Sequence, residues 1–132
     1  MTMFRIGEAA ELLGVSADTL RRWIDAGRLT AARDDHGQRL IDGADLAAFA
    51  RSRAAEPDAG SGSSSARNRL RGIVTAIVRD KVMAQVDLQV GPFRVVSLMS
   101  AEAVDELGLE VGSLATAVVK STAVVVERPD RT

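Results

Sequence analysis

Apolar residues recur with a helical period in the first part of the chain and with a strand period in the last. Ile6, Ala9, Ala10 and Leu13 fall at i, i+3, i+4 and i+7, one stripe of a short helix. Gly14-Val15 breaks that helix, and Ser16 is placed to cap a second one, in which Leu20, Trp23 and Ile24 face inward. Ala17, Asp18, Arg21, Arg22 and Asp25 point the other way, and Gly27 marks the C-terminal cap. Two short helices joined by a glycine-containing turn form a helix-turn-helix pattern. Residues 28–40 predict two short extended pieces around the turn Asp34-Asp35-His36-Gly37-Gln38-Arg39. Asp42 can cap a third helix, with Leu46, Phe49 and Ala50 inward, running to about Arg53.

The segment Glu56-Pro57-Asp58-Ala59-Gly60-Ser61-Gly62-Ser63-Ser64 has almost nothing to bury and the composition of a flexible linker. Beyond it the pattern is mainly β. Leu70, Ile73, Val74, Ile77 and Val78 predict one strand, and Val82, Ala84, Val86, Leu88 and Val90 alternate with polar residues as a half-buried second. Arg79-Asp80-Lys81 and Gly91-Pro92 supply turns, and residues 93–98 read as a third strand. A short helix over residues 101–107 starts at the cap Ser100 and stops at Gly108, and a final strand is expected over residues 114–127. Several strands and one short helix in so few residues suggest a small Greek-key barrel of the OB type. The expected fold class is therefore α+β in two domains, a mainly α winged helix-turn-helix at 1–55 and a small OB-like β-barrel at 65–128, with a linker at 56–64.

Two domains of this size within 132 residues are marginal alone, which makes oligomerisation a common remedy. The chain has no Cys, which removes disulfides, thiolate catalysis and thiolate-bound metal and fits a reducing cytoplasm. No signal-like apolar run opens the chain, and no stretch approaches the roughly 20 apolar residues that span a bilayer, so a cytoplasmic location is expected. Net charge is -1, and residues 1–55 hold eight Arg against eight acidic residues. Any nucleic-acid contact must come from local placement of arginines rather than from a basic field. With no Tyr, a single His (His36) in a turn and no phosphate-binding glycine loop, the chain does not read as an enzyme.

The polar residues that interrupt the β pattern carry the chemistry. Ser65-Ala66-Arg67-Asn68 precedes the first strand, Ser100 stands where the third strand meets a helix start, and Lys120-Ser121-Thr122 interrupts the apolar final stretch. Together they offer one Arg, one Lys, several hydroxyls and helix-start amides, a donor set suited to a doubly charged tetrahedral anion. A Lys within a strand of Val and Ala calls for a counter-charge, and a bound anion supplies one. The plainer alternatives are that Arg67 and Lys120 pair with Glu127 or Asp80, and that Ser100 serves only as a cap. In the first domain, the plain reading of Arg21 and Arg22 is a solvated helix face on which they pair with Asp18 and Asp25.

Two resemblances sharpen these expectations. Ile6-Gly7-Glu8-Ala9-Ala10, Gly14-Val15-Ser16, Thr19-Leu20-Arg21-Arg22-Trp23 and Gly27-Arg28-Leu29, with the turn Arg33…His36-Gly37-Gln38-Arg39, resemble the winged helix-turn-helix of MerR-type regulators and phage excisionases over residues 3–53. That resemblance implies a second helix in the DNA major groove and a wing on the backbone or minor groove, with Ser16, Thr19, Arg21, Arg22, Arg33 and Arg39 as the contacts. Ser65-Ala66-Arg67-Asn68-Arg69-Leu70-Arg71-Gly72, the run from Ser100 to Leu109 and Val119-Lys120-Ser121-Thr122 resemble the Mop or molbindin domain, a TOBE-class fold. It implies molybdate or tungstate held at subunit interfaces by Ser65, Ala66 (through its amide), Arg67, Ser100, Lys120 and Ser121. The two resemblances together imply a molybdate-responsive transcription regulator working as a homo-oligomer, a dimer or a hexamer, with a molybdate-storage protein as the alternative. No organic cofactor is expected.

Overall fold

The computed structural model describes residues 2–54 and 64–129. All but Ser64 of the expected linker lies outside the described residues. The chain divides into two compact units, Met1–Ala55 and Glu56–Thr132.

The first unit begins with strand β1 (Met3–Arg5), followed by helices α1 (Ile6–Leu13) and α2 (Ala17–Asp25). Gly14 and Gly27 both adopt a left-handed conformation. After α1 the amides of Gly14 and Val15 reach back to Glu11 and Ala10; after α2 those of Gly27 and Arg28 reach back to Ile24 and Trp23. Both helices thus end in the glycine-stopped turn that satisfies their last carbonyls. Ser16 caps α2 as its spacing predicts, its Oγ accepting from the Thr19 amide at 3.1 Å. The wing is β2 (Ala32–Arg33) paired antiparallel with β3 (Arg39–Asp42). Its turn is organised by Asp34, whose carboxylate accepts from the amides of His36 and Gln38.

Helix α3 (Gly43–Arg53) follows directly. Asp42 occupies its N-cap position, yet its side chain makes no capping bond. The first helical amide, that of Gly43, donates instead to the Thr2 carbonyl at 2.8 Å, because β1 runs beside β3 and brings that carbonyl within reach. The core of the unit is Ile6, Ala9, Ala10, Leu20, Leu29, Ile41 and Leu46, with Leu13, Trp23, Ile24 and Phe49 packed around it.

The second unit is a four-stranded antiparallel sheet in the order β6-β5-β4-β7, with β4 (Asn68–Arg79), β5 (Met83–Val90), β6 (Phe93–Ser100) and β7 (Leu114–Val119). Helix α4 (Ala101–Leu107) connects β6 toward β7 and buries Val104 against Val74, Ala84, Val86 and Leu88. Arg79 pins α4 to the end of β4 through a two-pronged ion pair with Asp105, at 2.7 and 3.1 Å. Gly72 sits where β4 meets the end of β5, since a Cβ there would lie 2.4 Å from the Gln89 carbonyl oxygen.

Two expectations need correction here. The final strand stops at Val119 rather than at residue 127; a 3-10 turn, Ser121–Ala123, follows it, and Val124, Val125 and Val126 lie outside any strand. Lys120 is consequently an exposed residue at the start of that turn, not a charge inside a strand. The sheet is also open among the described residues: β6 and β7 are its edges and do not pair with each other. Between them lies an apolar trough of about 450 Å³, lined by side chains such as Val86, Leu88, Val95, Met99, Leu109 and Ala115.

Candidate oxyanion and DNA sites

The residues expected to hold an anion fall into two groups at opposite ends of the second unit's sheet. Asn68 pairs with Val119 at the last rung of the β4–β7 ladder. The residues just beyond that rung are Arg67 on one side and Lys120 on the other, so Ser65, Ala66, Arg67, Lys120 and Ser121 gather at this end. The Asn68 side chain ties the two strands there, donating from Nδ2 to the Val119 carbonyl at 3.1 Å. It orders the turn. Arg67 and Lys120 are exposed and make no ion pair among the described residues, Glu127 and Asp80 included. Asp80 is engaged elsewhere: its carboxylate accepts from the amides of Val82 and Met83, which holds its pKa below the ordinary value.

Ser64, grouped with the linker on composition, takes part in this loop. Its Oγ accepts from the Ala66 amide at 3.1 Å and its carbonyl accepts from Arg67 Nη1 at 3.3 Å. A serine at the end of a Gly/Ser run carries no signal that separates it from its neighbours, so the sequence could not single it out. The Ala66 amide expected to face the anion is thus held by a hydroxyl, which an incoming oxyanion could replace with a stronger, charge-assisted acceptor.

Ser100 lies at the other end. It pairs with Met83, next to the rung Arg79↔Ala84 that closes β4. At roughly 3.3 Å per residue, the strand from Asn68 to Arg79 sets about 35 Å of contour between the two groups. Ser100 caps α4, its Oγ accepting from the Ala103 amide at 3.0 Å, which leaves its O–H free to donate. The Ala101 amide is already bound to the Val82 carbonyl at 2.8 Å. A single chain therefore brings together five of the six expected residues and leaves Ser100 apart.

In the first unit, the six expected DNA contacts also divide. Ser16 donates to Thr19 Oγ1 at 2.9 Å, and Arg22 donates to the same oxygen at 3.0 Å. With its lone pairs occupied, the Thr19 hydroxyl proton is left to donate outward. Arg22 is exposed and has no acidic partner among the described residues. Arg21 instead pairs with Asp18 at 2.9 Å, the intrahelical alternative weighed from spacing. Arg39 pairs with Asp25 at 3.0 Å, its side chain three-quarters covered. Arg33 donates to the Gly37 carbonyl across the wing turn, and Arg5, not anticipated, donates to the Gln38 side chain. These two brace the wing without neutralising any charge on it. His36 is exposed at the wing tip.

Comparison with known proteins assigns both units. Residues 3–54 match the helix-turn-helix domain family and residues 64–126 the TOBE domain family. Over 63 residues, 47% of this chain, the sequence is 42% identical to molybdenum-pterin-binding protein 3 of Clostridium pasteurianum and 43% identical to protein 2 of the same organism, covering 93% of each. Among solved structures, a molybdate binding protein from Sporomusa ovata is 32% identical and overlays with a TM-score of 0.49, covering 50% of this chain and 98% of that one.

Proposed function

Because the chain belongs, through residues 64–126, to the TOBE-domain family of molybdenum-pterin-binding proteins, we propose that it is a molybdate-responsive DNA-binding regulator. The observation that carries the reading is the split site. Arg67 and Lys120 present two positive charges, without an acidic partner among the described residues, at one end of the sheet, with Ser65, Ser121 and the Ala66 amide at the same end. Two cations against a dianion, with short-range donors for its oxygens, is the balance that molybdate or tungstate requires. Ser100, the remaining donor, comes from a second copy of the chain, so the anion sits between copies.

The open sheet supports the same arrangement. Among the described residues, most exposed large apolar side chains lie on this unit, Leu98, Val125 and Val126 among them, at 72%, 84% and 85% exposure. Exposed apolar surface of this extent suits an interaction site, and the trough between β6 and β7 offers a place for it to be buried by another copy. A homo-oligomer, dimer or hexamer, follows, with molybdate fixing the relation between its subunits. That relation presets the spacing of two helix-turn-helix units on two half-sites, and coupling follows if the anion favours one arrangement. In the first unit the reading rests on Thr19 and Arg22 on α2, with the wing arginine Arg33 as a backbone contact.

Calorimetric titration tests it. Molybdate should bind the wild type, sulfate should not, and Arg67→Ala/Lys120→Ala should abolish the molybdate heat. Binding untouched by that double substitution would remove the assigned site. DNA affinity that changes with molybdate identifies a regulator; DNA binding that is absent or indifferent to the anion identifies a storage protein instead.

A further inference from the structure

The single tryptophan of the chain stands on α2 and forms an aromatic pair with Phe49 of α3, their ring centroids 5.3 Å apart. Two guanidinium groups rest on this pair. Arg53, at the end of α3, has its central carbon 4.3 Å from the Trp23 ring centre and 5.9 Å from that of Phe49. Arg28, whose amide is fixed on the Trp23 carbonyl at 2.9 Å, lies 5.7 and 6.0 Å from the same two rings. Both side chains are exposed, and neither has an acidic partner among the described residues. Asp45 lines the groove beside Arg28 and makes no ion pair with it.

A guanidinium stacked on an aromatic ring keeps its N–H donors directed outward while losing conformational freedom, so it meets a phosphate already oriented. The platform also adjoins the proposed DNA contact on α2 through helix spacing. Thr19 lies one turn before Trp23, and Arg22 is bound to Thr19. Among the described residues, Arg22, Arg28 and Arg53 have no acidic partner, whereas Arg21 and Arg39 pair with Asp18 and Asp25.

We propose that Arg28 and Arg53, held on the Trp23–Phe49 pair, form a second phosphate grip that anchors the DNA backbone beside the α2 contact. The assignment rests on the DNA-binding reading above and extends it to residues that neither helix-turn-helix spacing nor the wing would select. It replaces the paired Arg21 and Arg39 as the source of non-specific affinity.

The test uses the full chain and a fluorescently labelled duplex of random sequence, with affinity measured between roughly 50 and 200 mM salt. Each phosphate contact contributes about 0.9 to the slope of log affinity against log salt. Arg28→Gln and Arg53→Gln should each flatten the slope by about one, and together by about two. The wild type should then lose roughly tenfold more affinity than the double variant across that range. Arg28→Lys/Arg53→Lys keeps the charges but not the stacked fork, and should retain the slope while binding a few-fold more weakly. Gln variants with an unchanged slope would overturn the proposal, and would assign the platform to a protein contact if they also altered the oligomer by light scattering. Failure of the wild type to bind the duplex at all would instead remove the DNA reading, and this grip with it.

Discussion

The two units handle apolar surface in opposite ways. In the first, a buried cluster running from Ile6 to Leu46 is closed by its own chain, and among the described residues only Met3 and Leu12 of its large apolar side chains are exposed. In the second, Leu70, Val78, Leu98, Leu114, Val118 and the run Val124-Val125-Val126 all remain in water although the sheet is well formed. The same division applies to function. The DNA face proposed for the first unit lies on one chain, whereas the second unit places Ser100 and the Arg67–Lys120 pair at opposite ends of one sheet. On the proposed reading, the first unit is complete within one chain and the second is completed by a neighbouring copy.

The difference between the units is tested most strongly at Val125. If the second unit stood alone, Val125→Asp would be a surface change within about 0.5 kcal/mol of neutral. Burial between copies instead makes the new charge cost about 3 kcal/mol or more, a hundredfold or greater rise in the subunit dissociation constant, read by analytical ultracentrifugation. Leu20→Ala probes the other side. Leu20 is fully buried, so its truncation should destabilise the first unit by about 2–5 kcal/mol. Trp23 fluorescence, which reports the first unit alone, should show the earlier melting, while molybdate binding by the second unit persists.

Acid should separate the units more gently. Asp80, Asp87 and Asp105 all belong to the second unit, and all three carboxyls are held below the usual value of 3.8. Backbone amides of Met83 and Val82 are the cause for Asp80, Arg94 for Asp87 and Arg79 for Asp105. A depressed carboxyl stabilises the fold above its unfolded pKa, and that contribution is lost as pH falls through the lower folded value. The strand signal in circular dichroism should therefore weaken as pH drops below about 4, without a matching gain on the alkaline side.

What the sequence disclosed follows from where the deciding forces lie. Helices α1, α2 and α4 were legible because their ends are set by neighbours in sequence: Ser16 and Ser100 cap, and Gly14, Gly27 and Gly108 stop. Strand β1 was not, since three residues hold no period and only pairing with β3 defines it. The overextended last strand has a similar origin. Val124, Val125 and Val126 look like strand residues because they are apolar, but the turn at Ser121–Ala123 separates them from β7, and their apolar character suits burial against another copy. The site residues were legible as chemistry but not as geometry. Nothing in chain spacing tells that Ser100 and Lys120 lie at different ends of the sheet, or that Asp25 reaches Arg39 rather than an arginine on its own helix.

On the proposed reading each anion site is built by two chains, and mixing variants tests this directly. Ser100→Ala and Arg67→Ala/Lys120→Ala should each bind molybdate poorly alone. Co-expressed, they form mixed oligomers in which one site joins an intact Ser100 to an intact Arg67 and Lys120. Calorimetry should then recover tight molybdate binding at a fraction of the sites, with wild-type affinity. Recovery of none, in oligomers shown to contain both variants, would contradict the shared site and return the anion to a single chain.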